Sequence, residues 1–235
     1  MSDTLVLYEL GGKNGRRYSL FSWRTRMALR HKGLAFESVP VCMSDKAAIA
    51  FSGGKTVPVI KAQTEGGNDF VVRDSWKIAE HLESRYPDAP SLFGGQIGHG
   101  VTQAFNTWAD RALVPAMLPV IVADIHERVD PRDEAYFRQT MEKIVRTTLE
   151  EARAQREAAL GRLGRVLEPL QATFKRQAYM AGAAPAYADY ILFSVFQWAR
   201  VMSPHELLAP EDPLCQWRER MLDRFDGFAR NVPAA

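Results

Sequence analysis

The segment Val57-Pro58-Val59-Ile60-Lys61-Ala62-Gln63-Thr64-Glu65-Gly66-Gly67-Asn68-Asp69-Phe70-Val71-Val72-Arg73-Asp74-Ser75 decides the architecture of the first third of this chain. Residues 57–60 and 69–72 are short β-forming runs, and the polar, glycine-rich Glu65-Gly66-Gly67-Asn68 joins them as a hairpin. Asp74 and Ser75 bring N-cap chemistry to a helix expected over 75–85. Pro58 lacks a ladder donor, so it belongs at an edge, a strand start or a cis bend.

Upstream, residues 4–10 read as a strand and Gly11 to Gly15 as a loop. A helix follows over 20–32, ended by Gly33, and a second strand over 35–39. An irregular stretch, 44–52, has room for a short helix. The order is β-α-β, then β-β-α. A crossover gives parallel neighbours and a hairpin antiparallel ones, so the sheet is mixed, the layout of a thioredoxin-like domain.

Downstream, Tyr86-Pro87-Asp88-Ala89-Pro90 breaks the helix, and Gly94, Gly95, Gly98 and Gly100 follow. This predicts an N-terminal domain over 1–87, a linker over 88–98 and a second domain over 99–235. The second domain reads as all-α, with helical stretches over 101–123 and 187–201. Leu160, Leu163, Leu167, Leu170 and Phe174 recur at helical spacing between them. The fold class is therefore an α+β thioredoxin-like domain followed by an all-α helical bundle.

Composition narrows the function. Of 235 residues 46% are apolar and 25% charged, an ordinary globular balance. Thirty basic against 28 acidic side chains leave a net charge of +2, which gives no chain-wide attraction to nucleic acid or an anionic membrane. The longest apolar run, 112–123, is far short of the roughly 20 residues of a membrane helix and contains Pro115 and Pro119. The N-terminus has no basic segment before an apolar run, so no secretory signal is expected. Cys42 and Cys215 form no CxxC, which disfavours a disulfide oxidoreductase and fits a reducing cytoplasm. The five histidines lack the spacing of a metal site, and no metal is expected.

Two further stretches carry a family resemblance. Ser19-Leu-Phe-Ser-Trp23-Arg24-Thr25-Arg26 opens the first helix, and Val57-Pro58 is followed at the right separation by Asp74-Ser75. With an all-helical second half, these make nearly the whole chain resemble a cytosolic glutathione transferase of the serine type. Tyr86-Pro-Asp-x-Pro-x-Leu-Phe-x-Gly95, Ala188-Asp189-Tyr190, Asp212-Pro-Leu-x-x-Trp217 and Phe225-Asp226-Gly227 are most similar to bacterial β-etherase-like transferases and their fungal relatives.

The resemblance implies roles. Ser19 would hydrogen-bond the sulfur of glutathione, the co-substrate. Read from position alone, Ser19 is equally well an N-cap of the first helix. Tyr8, Tyr18 and Ser22 are lesser candidates for its role. Val57, before a cis Pro58, would turn its backbone to the peptide. Ser75 and the helix start would bind the γ-glutamyl carboxylate, with Asp74 facing the ammonium and Lys55 the glycine carboxylate. Phe21, Trp108, Arg111 and Pro115, with Met117, would line a site for a hydrophobic, aromatic electrophile, although each is individually an ordinary core candidate. A homodimer, and a place in detoxification or aromatic degradation, follow from the family.

Phe21 stands where the similar maleylacetoacetate isomerase class carries cysteine, which weakens that reading. A non-catalytic binding protein of the same fold is the rival. The basic residues of the first helix, Arg24, Arg26, Arg30 and Lys32, read mostly as solvated or interdomain, with Arg24 buried against the second domain. Ala186 stands where the superfamily has the Ser or Thr of a capping box with Asp189, a loss worth about 1 kcal/mol.

Overall fold

The computed structural model describes residues 4–63 and 69–235. Four strands form one mixed sheet in the order β2-β1-β3-β4: β1 (Thr4–Leu10), β2 (Glu37–Val41), β3 (Val59–Gln63) and β4 (Phe70–Arg73). β2 runs parallel to β1, while β3 and β4 are antiparallel to their neighbours. The β-α-β, β-β-α order is the one the sequence predicts.

Some boundaries differ from expectation. β2 lies two residues later than 35–39, because its register on β1 pairs Val6 with Glu37 and Leu10 with Val41. It carries Pro40, which an edge strand tolerates. β3 starts at Val59, so Pro58 precedes the ladder, and the Val57–Pro58 bond is cis. The expected hairpin turn at 65–68 lies outside the described residues.

Helices α1 (Leu20–His31) and α2 (Ser75–Arg85) complete the first domain. Gly33 closes α1 at φ +70°, a conformation that glycine adopts without steric cost. α3 (Gln96–Trp108) begins inside the stretch expected as linker. A five-residue π-helical turn, Ala109–Leu113, joins it to α4 (Val114–Arg128), so one rod spans both expected prolines. Then come α5 (Glu134–Val145), α6 (Leu149–Ala154), α7 (Arg156–Phe174), α8 (Tyr187–Met202) and α9 (Pro213–Gly227). Among the described residues no helix is long and apolar enough to cross a membrane.

The core is continuous across both domains. Trp23, Met27 and Leu29 of α1 belong to the same buried cluster as Tyr190, Phe193 and Val201 of α8. Trp217 anchors the helical half, stacked on Phe174 at 4.9 Å. Asp189 keeps half of the capping box: it accepts the Ala186 N–H at 3.1 Å, and also the Met180 N–H and the Trp217 indole N–H.

Three of the four basic residues of the first helix region are not solvated. Arg24, 1% exposed, reaches Ser194 of α8, Asn106 of α3 and Asp110 of the π turn. Arg26 pairs with buried Glu9 of β1, and Lys32 with Glu83 of α2 at 2.7 Å. Only Arg30 stays exposed. Their carboxylate partners lie far away in sequence, which hid the pairing. Met117, read as site lining, is wholly buried in the core.

Candidate active site

A cleft of about 300 Å³ opens where the C-terminal end of β1, the start of α1, the end of β2 and the start of α2 converge. Its lining includes Ser19, Phe21, Lys55, Val57, Pro58, Asp74 and Ser75, which brings together seven residues singled out from the sequence. Trp108, Arg111 and Pro115 are not among its lining residues. Trp108 stacks on Phe105 at 5.4 Å, while Arg111 and Pro115 are exposed.

Ser19 is the N-cap of α1: its oxygen accepts the Ser22 N–H at 3.3 Å. Capping uses an oxygen lone pair and leaves the hydroxyl hydrogen to be donated elsewhere. The cap and a donor role toward a ligand are therefore compatible in one residue. Tyr18, beside it, is not accessible. Burial, then the Asp133 carboxylate, pushes its hydroxyl far above the usual phenol range, and that hydroxyl meets no hydrogen-bond partner among the described residues.

Asp74 is the N-cap of α2. One carboxylate oxygen accepts both the Trp76 N–H, at 3.0 Å, and the Lys77 N–H, at 3.1 Å. Its φ of +76° is unusual for a side-chain-bearing residue, and such outliers concentrate at ligand sites. Its N–H donates to the Pro58 carbonyl at 3.2 Å, tying the helix start to the cis bend. Ser75 is buried, and its carbonyl accepts the Tyr187 hydroxyl at 2.7 Å. The ladder begins at Val59, so the sheet does not engage the backbone of Val57.

One wall went unnoticed in the sequence. Val41, Cys42, Met43, Asp45 and Lys46 line the cleft beside Leu10 and Ile49. The Lys46 ammonium donates to the Met43 carbonyl and sits 5.3 Å from the Tyr136 ring centroid. Burial, then the Asp133 and Asp130 carboxylates, raises the Cys42 thiol, which disfavours its thiolate form. The only sequence signal for this wall was its place just after an edge strand.

Chemically, the cleft offers two helix N-termini, a backbone edge, three hydroxyl side chains (Ser19, Thr56 and Ser75), two lysines and two aspartates. That set suits a zwitterionic ligand with more than one carboxylate. Phe21, 37% exposed, forms an aromatic rim above the Arg24 guanidinium, which lies 4.9 Å from its ring centroid.

Comparison with known proteins gives concordant matches. A family model described as "Glutathione S-transferase, C-terminal domain" matches residues 100–225, and one described as "Glutathione S-transferase, N-terminal domain" matches 18–85. The chain is 24% identical over 202 residues to the glutathione S-transferase-like protein ustS of Aspergillus flavus, covering 75% of this chain and 72% of that one. Among solved structures, glutathione transferase GSTFuA3 of Phanerochaete chrysosporium superimposes with a TM-score of 0.74 at 26% identity, over 99% of this chain and 96% of that one. A glutathione S-transferase of Ceriporiopsis subvermispora, solved in complex with glutathione, shares the fold at a TM-score of 0.72 and 23% identity, over 97% and 94%.

Proposed function

Because this chain belongs to the glutathione S-transferase family, we propose that it activates the thiol of glutathione at Ser19 and transfers the sulfur to a hydrophobic electrophile. The observation that carries this reading is the meeting of Ser19, cis Val57–Pro58, Asp74 and Ser75 on one cleft. Ser75 and the N-terminus of α2 take the γ-glutamyl carboxylate, and the Asp74 oxygen not used in capping takes the ammonium. Val57 meets the peptide backbone, and Lys55 and Lys46 face the glycine carboxylate.

A thiol with a reference pKa near 8.5 is only a few per cent ionised at neutral pH. Lowering it by about two units takes roughly 2.7 kcal/mol of selective anion stabilisation. A charge-assisted bond from the Ser19 hydroxyl and the N-terminus of α1 together are of that size. Ser19 is a donor to the thiolate, not the nucleophile.

Phe21 offers the aromatic contact for the second substrate. It rests on Arg24, and Arg24 binds Asp110 of the π turn; Trp108, Arg111 and Pro115 lie outside the cleft lining and are proposed to meet only the part of the electrophile that extends beyond it. The β-etherase-like motifs favour an aryl ether whose carbon neighbours a carbonyl. A carbon–sulfur bond forms, the carbon–oxygen bond breaks, the aryl group leaves as phenolate and the thiol proton passes to solvent. Ile97 and Val101, 85% and 66% exposed on α3, favour a homodimer that covers them. Two free, buried cysteines fit a cytoplasmic protein.

The test is the ultraviolet thiolate absorbance of bound glutathione titrated against pH, in wild type and Ser19→Ala. Ionisation below that of free glutathione, lost in the variant with binding retained, is the expected result. Binding with an unshifted thiol points instead to a non-catalytic glutathione-binding protein, and no binding refutes both.

A further inference from the structure

We propose that Asp133, a residue of the helical domain, sets the affinity of the cleft for glutathione by fixing the loop that leaves β2. The inference rests on the glutathione-binding reading above. The loop forms one wall of the cleft through Cys42, Met43, Asp45 and Lys46. It has just left an edge strand, and its own backbone bonds are few: Asp45 N–H to the Cys42 carbonyl at 3.3 Å and Lys46 N–H to the Ser44 carbonyl at 3.1 Å.

Asp133 supplies what the loop lacks. Its carboxylate, wholly buried, accepts the Met43 N–H at 2.6 Å, the Ser44 N–H at 2.8 Å and the Ser44 hydroxyl at 2.5 Å. A buried carboxylate is tolerated only with its donors in place, so loop and carboxylate hold each other's position. Asp133 is itself fixed. Its N–H donates to the Asp130 carbonyl at 2.8 Å, and the adjoining Glu134 pairs with Lys13 at 2.8 Å. Gly12 bridges Val129 in the same corner.

The corner between α4 and α5 is thus joined both to the loop after β1, which leads into Ser19, and to the loop after β2. Tyr18 and Cys42 both feel the Asp133 charge, as expected for a carboxylate lodged between the two loops. Asp133 is not among the residues lining the cleft, so it is a positioning residue.

The test is isothermal titration calorimetry of the full chain with reduced glutathione, for wild type, Asp133→Asn and Ser44→Ala. Asparagine keeps the size but replaces one acceptor with a donor facing backbone N–H groups. Ser44→Ala removes a single hydrogen bond and no charge, and it decides the matter alone if Asp133→Asn does not fold. Binding is expected to weaken about tenfold in Asp133→Asn and about threefold in Ser44→Ala. In Ser44→Ala the bound thiol should ionise at the wild-type pH. Wild-type affinity in the folded variants overturns the proposal and leaves the glutathione reading intact. A wild-type chain that takes no glutathione overturns both. A displaced thiol ionisation in Ser44→Ala means that the loop acts on Ser19 rather than on affinity, and also overturns it.

Discussion

The hydroxyl of Tyr187, at the first turn of α8, donates to the carbonyl of Ser75, at the first turn of α2, over 2.7 Å. Both residues are buried, so this carbonyl has no water to fall back on. Tyr187→Phe keeps the ring against Trp76 and Phe93 but removes the second donor to a carbonyl that also serves the first turn of α2. We expect a loss of about 1 kcal/mol in urea unfolding, with weaker glutathione binding because the first turn of α2 loses its tie to α8. An unchanged midpoint would mean that the hydrogen bond is idle.

Arg24 joins α1 to α8, α3 and the π turn through one guanidinium. Arg24→Ala leaves Asp110 without its cation at the domain interface. Asp110 is a third exposed, so the cost falls below the roughly 3 to 5 kcal/mol of a fully buried pair, to about 2 to 3 kcal/mol. Lysine cannot reproduce the three-way fork, so Arg24→Lys should recover little of it. Equilibrium denaturation of both variants checks this, and full recovery by lysine would contradict it.

Stability should fall on mild acidification. Burial lowers the pKa of His31, whose Nε2–H donates to the Ser91 carbonyl while Nδ1 accepts the Tyr190 hydroxyl at 2.6 Å. The folded state therefore favours the neutral ring. Its contribution is complete above the unfolded value near 6.5. It declines as pH falls from there, because the unfolded chain binds the proton first, and stops changing once the buried ring protonates. His81, lowered by burial and then by the Arg85 charge, acts in the same direction. Urea midpoints should drop between pH 7.5 and pH 5, and His31→Gln should flatten that slope.

Gly12 lies against the backbone of the α4–α5 corner. A Cβ there would sit 2.7 Å from the Arg128 carbonyl oxygen, although φ of −126° suits any residue. Gly12→Ala should cost about 1 to 3 kcal/mol through this overlap alone. A thermal melt tests it, and a neutral substitution would mean that the corner yields easily.

The order of elements was legible because hydrophobic runs and Gly and Pro punctuation are local. So were Ser19 and Asp74-Ser75, since capping chemistry sits within a few residues of its helix, whereas the cis bond at Pro58 followed from the family resemblance alone. Contacts made over long separations were not. Arg26 and Lys32 read as solvated or interdomain charges because Glu9 and Glu83 lie 17 and 51 positions away. Asp133 and Tyr187 showed no sign of serving the cleft, because their partners are backbone atoms of the other domain. Met117 looked like lining until its face of α4 was seen to turn inward.

The hydrogen bonds from Asp133 and Tyr187 bear on modular exchange. The lining of the cleft belongs wholly to residues before 76, which invites grafting that half onto a foreign helical partner. Such a chimera would keep every side chain that meets the ligand and still bind it poorly unless the graft carried a carboxylate and a phenol at these two places. Transplanting the helical half with its α4–α5 corner and the first turn of α8 should preserve the recipient's grip on its ligand.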